Sequence, residues 1–128
     1  MKLDQVHHVA IIGKDYEKTY HFYCDLLGFE VVSEHDRPEK GDRIVNVRQG
    51  SLILEIFIKS DAPERPRIPH PEHTGLRHLA FRVASVEACL AEFDRLGIPH
   101  QGLRYDDFVG KKMAFFFDPD GLPLEIHE

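Results

Sequence analysis

The sequence predicts an α+β fold in which one β-α-β-β-β unit is used twice, and three observations lead to it. His8 and Glu55 recur 70 residues on as His78 and Glu125, inside matching flanks: VHHVAIIGKD against LRHLAFRVAS, and LILEIF against LPLEIH. Apolar residues alternate with strand spacing and then with helical spacing, in the same order in both halves. Only two copies fit in 128 residues, which describes a duplicated module within one domain and not a solenoid.

Module 1 is read as residues 4–59 and module 2 as residues 76–128, joined by a linker over 60–75. Each module opens on a short run rich in apolar residues, HHVAII (7–12) and RHLAFRV (77–83), expected as strands. Asp15 and Ser85 follow at helix N-cap positions. Tyr16, Tyr20, Tyr23 and Leu27, and then Val86, Leu90 and Phe93, recur at helical spacing. Gly28 and Gly97 stand where a helix-ending glycine belongs. FEVVSE (29–34) is the expected second strand, with IPHQGL (98–103) as its weaker counterpart. RIVNVRQ and KMAFFFD are third strands, SLILEIFI and LPLEIHE fourth ones. DPDG at 118–121 fits a type I turn between the last two strands. The segment 60–75 holds four of the eight prolines and little apolar content, as a linker does. YDDFVGKK (105–112) is the other expected loop, a candidate flap.

Apolar residues make up 42% and charged ones 30%, an ordinary globular composition. A net charge of −6 argues against nucleic acid and anionic membrane surfaces as partners. No apolar run reaches membrane-spanning length, and MKLDQVHH does not read as a signal peptide. Cys24 and Cys89 are far apart and in no CxxC arrangement, so they read as small core residues in a reducing, cytoplasmic setting.

Strand alternation places His8 with Ala10 and Ile12, and His78 with Ala80 and Arg82. Glu55 lies with Ile53 and Phe57; Glu125 lies with Pro123 and His127. The opposite, apolar faces are the ones a helix covers, so both His–Glu pairs point away from the helices. A mid-strand glutamate among aliphatic residues is costly to bury unless it is paired or holds a cation. Taken singly, each of these residues reads as a half-exposed strand residue; the shared offset points to a metal. Imidazole nitrogen with carboxylate oxygen suits Zn²⁺, Ni²⁺ or Co²⁺, and also Mn²⁺ or Fe²⁺. His7 shares the face of Val9 and Ile11 and is expected to pack there, while His127 is expected at the rim.

HHVAII, FYCDLLGF, GLRHLAF and especially FFFDPDGLPLEI resemble the vicinal oxygen chelate superfamily, over nearly the whole chain. That group includes glyoxalase I, extradiol dioxygenases, methylmalonyl-CoA epimerase and the bleomycin and fosfomycin resistance proteins. The resemblance implies paired βαβββ modules whose curled mixed sheets surround a metal, with His8, Glu55, His78 and Glu125 as its ligands. Four protein ligands of this kind resemble glyoxalase I most; the epimerases carry Gln where this chain has Glu55. In glyoxalase I the metal polarises the substrate oxygens and a ligand glutamate moves the proton, a role expected of Glu125 with Glu55 beside it. Glu125 follows a tight turn near the chain end and is expected to be the more loosely held of the two.

Bacterial glyoxalase I carries Arg and Asn where this chain has Ile12 and Lys59, so the glutathione contacts of that pattern are missing. Arg82 is expected to bind a substrate carboxylate or phosphate. The expected function is a glyoxalase I-like, metal-assisted isomerisation of a small oxygenated substrate by a homodimer. An Fe or Mn dioxygenase and a non-catalytic small-molecule binder are the alternatives on the same scaffold.

Overall fold

A computed structural model describes residues 1–66 and 71–128. The chain divides into two compact units, Met1–Glu64 and Arg65–Glu128. Each carries one four-stranded mixed sheet with little helix, an α+β architecture. Residues 67–70 of the expected linker lie outside the described residues.

In the first unit, β1 (Val9–Gly13) runs into α1 (Tyr16–Tyr20), followed by β2 (Glu30–Arg37), β3 (Asp42–Gln49) and β4 (Leu52–Ile58). The sheet order is β1-β4-β3-β2, with β1 parallel to β4 and the other pairs antiparallel. Asp15 caps α1 by accepting from the Lys18 backbone N–H at 2.8 Å. After one turn the helix widens to a π form over His21–Leu26, where Leu27 N–H bonds to the Phe22 carbonyl. Helical spacing alone predicted a plain α-helix to Leu27. The wider turn lowers the angle between successive residues, which lets adjacent Phe22 and Tyr23 both face the core. The Tyr16 hydroxyl donates to Glu34 at 2.6 Å, tying the helix to β2 and pushing the phenol up to about 12.

In the second unit, β5 (Leu79–Arg82) leads to α2 (Val86–Leu96), then β6 (Arg104–Tyr105), β7 (Lys112–Phe117) and β8 (Pro123–His127). The order β5-β8-β7-β6 repeats the first sheet, with β5 parallel to β8. Ser85 accepts from Ala88 N–H at 3.2 Å, and Gly97 ends the helix at φ 72°, which only glycine adopts without strain. Val86, Leu90 and Phe93 form its buried stripe.

The expected second strand at 98–103 is not formed; β6, two residues long, follows it directly at Arg104–Tyr105. Pro99 has no N–H to give, and Gly102 turns the chain at φ 81°. The segment bonds to β7 through the His100–Phe116 bridge and the Gln101 N–H to the Phe115 carbonyl. The DPDG turn forms as expected, with Gly121 N–H bonded to the Asp118 carbonyl at 3.0 Å. Leu54 and Leu124, 70 residues apart, are both fully buried on the sheet faces opposite the glutamates. Burying each contributes about 1.5–3 kcal/mol.

Candidate metal centre

Register builds each His–Glu pair in the same way. Ala10 is the Cα partner of Glu55 across the parallel β1–β4 ladder, and Ala80 is that of Glu125 across β5–β8. His8 and His78 each precede their strand by one residue and lie two residues before these alanines. They therefore share the glutamate's face and sit diagonally from it, within side-chain reach. His8 Nε2 lies 3.4 Å from Glu55 Oε2, and His78 Nε2 lies 2.9 Å from Glu125 Oε2.

The surroundings of the two pairs differ. The Glu125 side chain is 8% exposed and that of Glu55 28%. Glu125 faces Phe115 across β7–β8, and the His78 ring stands edge-on to Phe115 at 5.2 Å. Glu55 faces Asn46, whose amide donates to Ser33 at 3.1 Å. The expectation that Glu125 is the more loosely held is thus corrected: β8, paired on both sides as β4 is, is buried from Pro123 to Ile126, whereas β4 is only partly buried. Asn46 and Phe115 occupy equivalent places although the offset there is one short of 70, because the β7–β8 turn is longer than the β3–β4 turn.

The outer ring nitrogens have partners too. His8 Nδ1 lies 2.8 Å from His7 Nδ1, so one ring donates and the other accepts. His7 is exposed and set edge-on against His8, not packed in the core as its strand parity suggested: β1 begins only at Val9. Arg77 Nη1, which can only donate, lies 3.3 Å from His78 Nδ1 and so favours the tautomer that carries its proton on Nε2, facing Glu125.

These donors fit a divalent transition metal. Metal–ligand bonds of about 2.1 Å place two donors about 3.0 Å apart at a right angle and about 3.4 Å apart at a tetrahedral one. The two observed separations fall at those values, and the shorter equally suits the direct imidazole–carboxylate hydrogen bond present without a metal. A metal on His78 Nε2 would require that ring's proton on Nδ1, so His78 would change tautomer and give up its contact with Arg77. The four expected ligands come as two pairs, one in each unit. Among the described residues, no group of three or more His, Cys, Asp or Glu side chains is arranged to hold a metal.

Arg82 lies on β5 with His127 as its Cα partner, on the face of Glu125, and is exposed. His127 is not a free rim residue. Its Nε2 lies 3.1 Å from Asp106 Oδ2, which raises the imidazole's proton affinity and lowers that of the carboxyl. Asp106 Oδ1 also accepts from the Phe108 and Val109 N–H groups, so the expected flap at 105–112 is a hairpin loop fastened to β8. Sequence reading missed Phe115, Asn46 and Arg104 beside the pairs. Only cross-strand register could have found them.

A family model described as the Glyoxalase/Bleomycin resistance protein/Dioxygenase superfamily matches residues 5–126. The chain is 45% identical over 129 residues to "Uncharacterized protein YwkD" of Bacillus subtilis (strain 168), covering 100% of this chain and 99% of that one. It is 52% identical to a glyoxalase family protein from Enterococcus faecalis of known crystal structure, with a TM-score of 0.95 and both chains covered in full. The trypanothione-dependent glyoxalase I of Leishmania major is similar at 25% identity and TM-score 0.74, over 98% of this chain and 87% of that one. Similar proteins also include epimerases and dioxygenases. With its fold, its repeated His–Glu pairs and a match over almost its whole length, the chain belongs to the glyoxalase/bleomycin resistance/dioxygenase superfamily.

Proposed function

We propose that the protein is a metal-dependent lyase or isomerase of glyoxalase I type. In this reading His8, Glu55, His78 and Glu125 are the ligands of one divalent transition metal, with Zn²⁺, Ni²⁺ and Co²⁺ ahead of Mn²⁺ and Fe²⁺. The observation that carries it is the duplicated pair: in both units an imidazole Nε2 and a carboxylate Oε2 stand at metal-ligand spacing on equivalent strands. A bound metal would supply Lewis-acid polarisation of two neighbouring substrate oxygens.

The chain's own residues divide the remaining work. His8 and His78 hold position, and Glu55 adds a second carboxylate. Glu125 takes the proton from one substrate carbon and returns it to the next. Its burial beside Phe115 supports that role, because a proton held there is shielded from exchange with water. Arg82 holds an anionic substituent of the substrate. The proposed assembly is a two-fold homodimer, and the proposed setting is cytoplasmic. Cys24 and Cys89 accord with that: both are free thiols whose pKa burial raises.

The test is metal analysis of purified protein, then turnover of methylglyoxal mixed with each of several thiols. Bound metal at neutral pH and isomerisation that chelation abolishes are expected. Oxygen uptake with catechols in place of isomerisation moves the protein to the dioxygenases. Ligand binding with neither metal nor turnover makes it a binder. A monomeric mass by light scattering at micromolar concentration overturns the dimer.

A further inference from the structure

We infer that Arg82 and Arg104 together hold an oxyanion, a carboxylate or a phosphate, carried by the substrate beside the His78–Glu125 pair. The inference rests on the reading of that pair as part of the reaction site, and it defines the substrate class.

It begins with the arginines' partners. Among the described residues, Arg37, Arg43, Arg77 and Arg95 each pair with a carboxylate, and Arg65 donates to the Leu76 carbonyl. Arg48, Arg82 and Arg104 have no carboxylate within 4.0 Å. All three lie on the face of their sheet that carries its His–Glu pair: Arg48 is two residues from Asn46 on β3, and the other two flank the Glu125 row. In a chain of net charge −6, every arginine among the described residues that is left without an acid or carbonyl partner is thus on a candidate site face.

Register places Arg82 and Arg104 in one row at the two edges of the sheet, about 14 Å apart at Cα, so that a ligand lying between them is reached from both sides. Arg82, His127, Met113 and Arg104 are successive Cα partners across β5, β8, β7 and β6. They form a single row, two residues beyond the row of Ala80, Glu125 and Phe115. Two residues along a strand is about 6.6 Å, so an anion over the outer row lies a short carbon chain away from Glu125. The Arg104 guanidinium sits 5.8 Å from the centre of the Phe115 ring, the same ring that stands against His78 and opposite Glu125. Its charge therefore stands near the site-side ring while the residue as a whole stays exposed. The equivalent row in the first unit is Ile12, Phe57, Ile44 and His35, which offers an apolar floor instead.

Both guanidinium groups are exposed and open to an anionic partner. Asp106, two residues after Arg104, is already engaged by His127 and two backbone N–H groups. A planar guanidinium donates two parallel bonds to a carboxylate or phosphate, which lysine cannot reproduce.

Amide-resolved NMR titration of metal-free protein with inorganic phosphate, and separately with malonate, tests this. Saturable shifts at the Met113 and His127 amides are expected with at least one probe, and the tighter of the two assigns phosphate or carboxylate. R82Q and R104Q should each weaken binding about tenfold, R104K should not restore it, and R95Q should leave it unchanged. No saturable shift at those amides with either probe, or binding by R82Q and R104Q within twofold of wild type, overturns the inference. Metal content measured separately keeps the two readings distinct: anion binding in a protein that takes up no metal sinks the metalloenzyme and leaves the arginine pair standing.

Discussion

A carboxylate loses contact with water as it is buried, and at 8% exposure Glu125 has lost nearly all of it while Glu55, at 28%, has not. Both are proposed ligands, and in the proposed reaction the buried one would hold a proton between two substrate atoms without losing it to solvent. E125Q should therefore keep most metal binding and lose turnover by about a hundredfold or more, while E55Q keeps measurable activity. Equal losses at matched metal occupancy would sink the asymmetry. A second carboxylate bears on stability. Asp42 accepts two hydrogen bonds from Arg37 and one from Lys59, and Arg37 first among them holds its carboxyl below the usual range. A value lower in the folded than in the unfolded chain means stabilisation that is complete above about pH 4 and fades as the pH falls through the folded value. Urea midpoints should show D42N less stable than wild type at pH 7, with the gap closing towards pH 3; a gap that stays constant would rule the linkage out.

The DPDG turn shows how one element fixes the register on which the site depends. Asp118 Oδ1 accepts from the N–H groups of Asp120 and Leu122, at 2.9 and 2.8 Å, and the turn delivers β8 so that Glu125 faces Phe115. D118A strands a buried N–H and should cost about 1–3 kcal/mol, while D118N keeps the acceptor and most of the stability. Chemical denaturation of the two variants decides; equal losses would mean that the carboxylate's charge matters and not its hydrogen bonds. The same turn was readable in the sequence, as were both N-caps and Gly97, because their causes lie within a few residues. The second strand of module 2 was not, because β6 is only two residues long and exists through its pairing with β7. The π turn was equally hidden, since it answers to where Phe22 and Tyr23 must pack. At the site, the repeat exposed the His–Glu pairs. Arg104 stayed hidden because a residue's face cannot be assigned until its strand is known.

The molecule as a whole carries two equivalent donor pairs, one per unit, and that fact admits two stoichiometries. If each pair holds its own metal, a chain binds two ions, and each ion has only two protein ligands. If the pairs are halves of one site, a chain binds one ion with four. The proposed function takes the second, since tight zinc-type sites use three or four protein ligands and a two-ligand site leaves most positions to water. The two cases respond differently to removal of a single histidine. H8A and H78A act in different units, so independent sites would each lose half of the bound metal and keep the other half at full affinity. A shared site would lose affinity as a whole in either variant, and the double variant would add little. Plasma mass spectrometry on protein equilibrated with Zn²⁺ and then desalted should give about one ion per wild-type chain, with either single variant releasing its metal to a chelator more readily than wild type. Two ions in wild type, falling to one in each variant, would refute the shared site and the four-ligand reading with it.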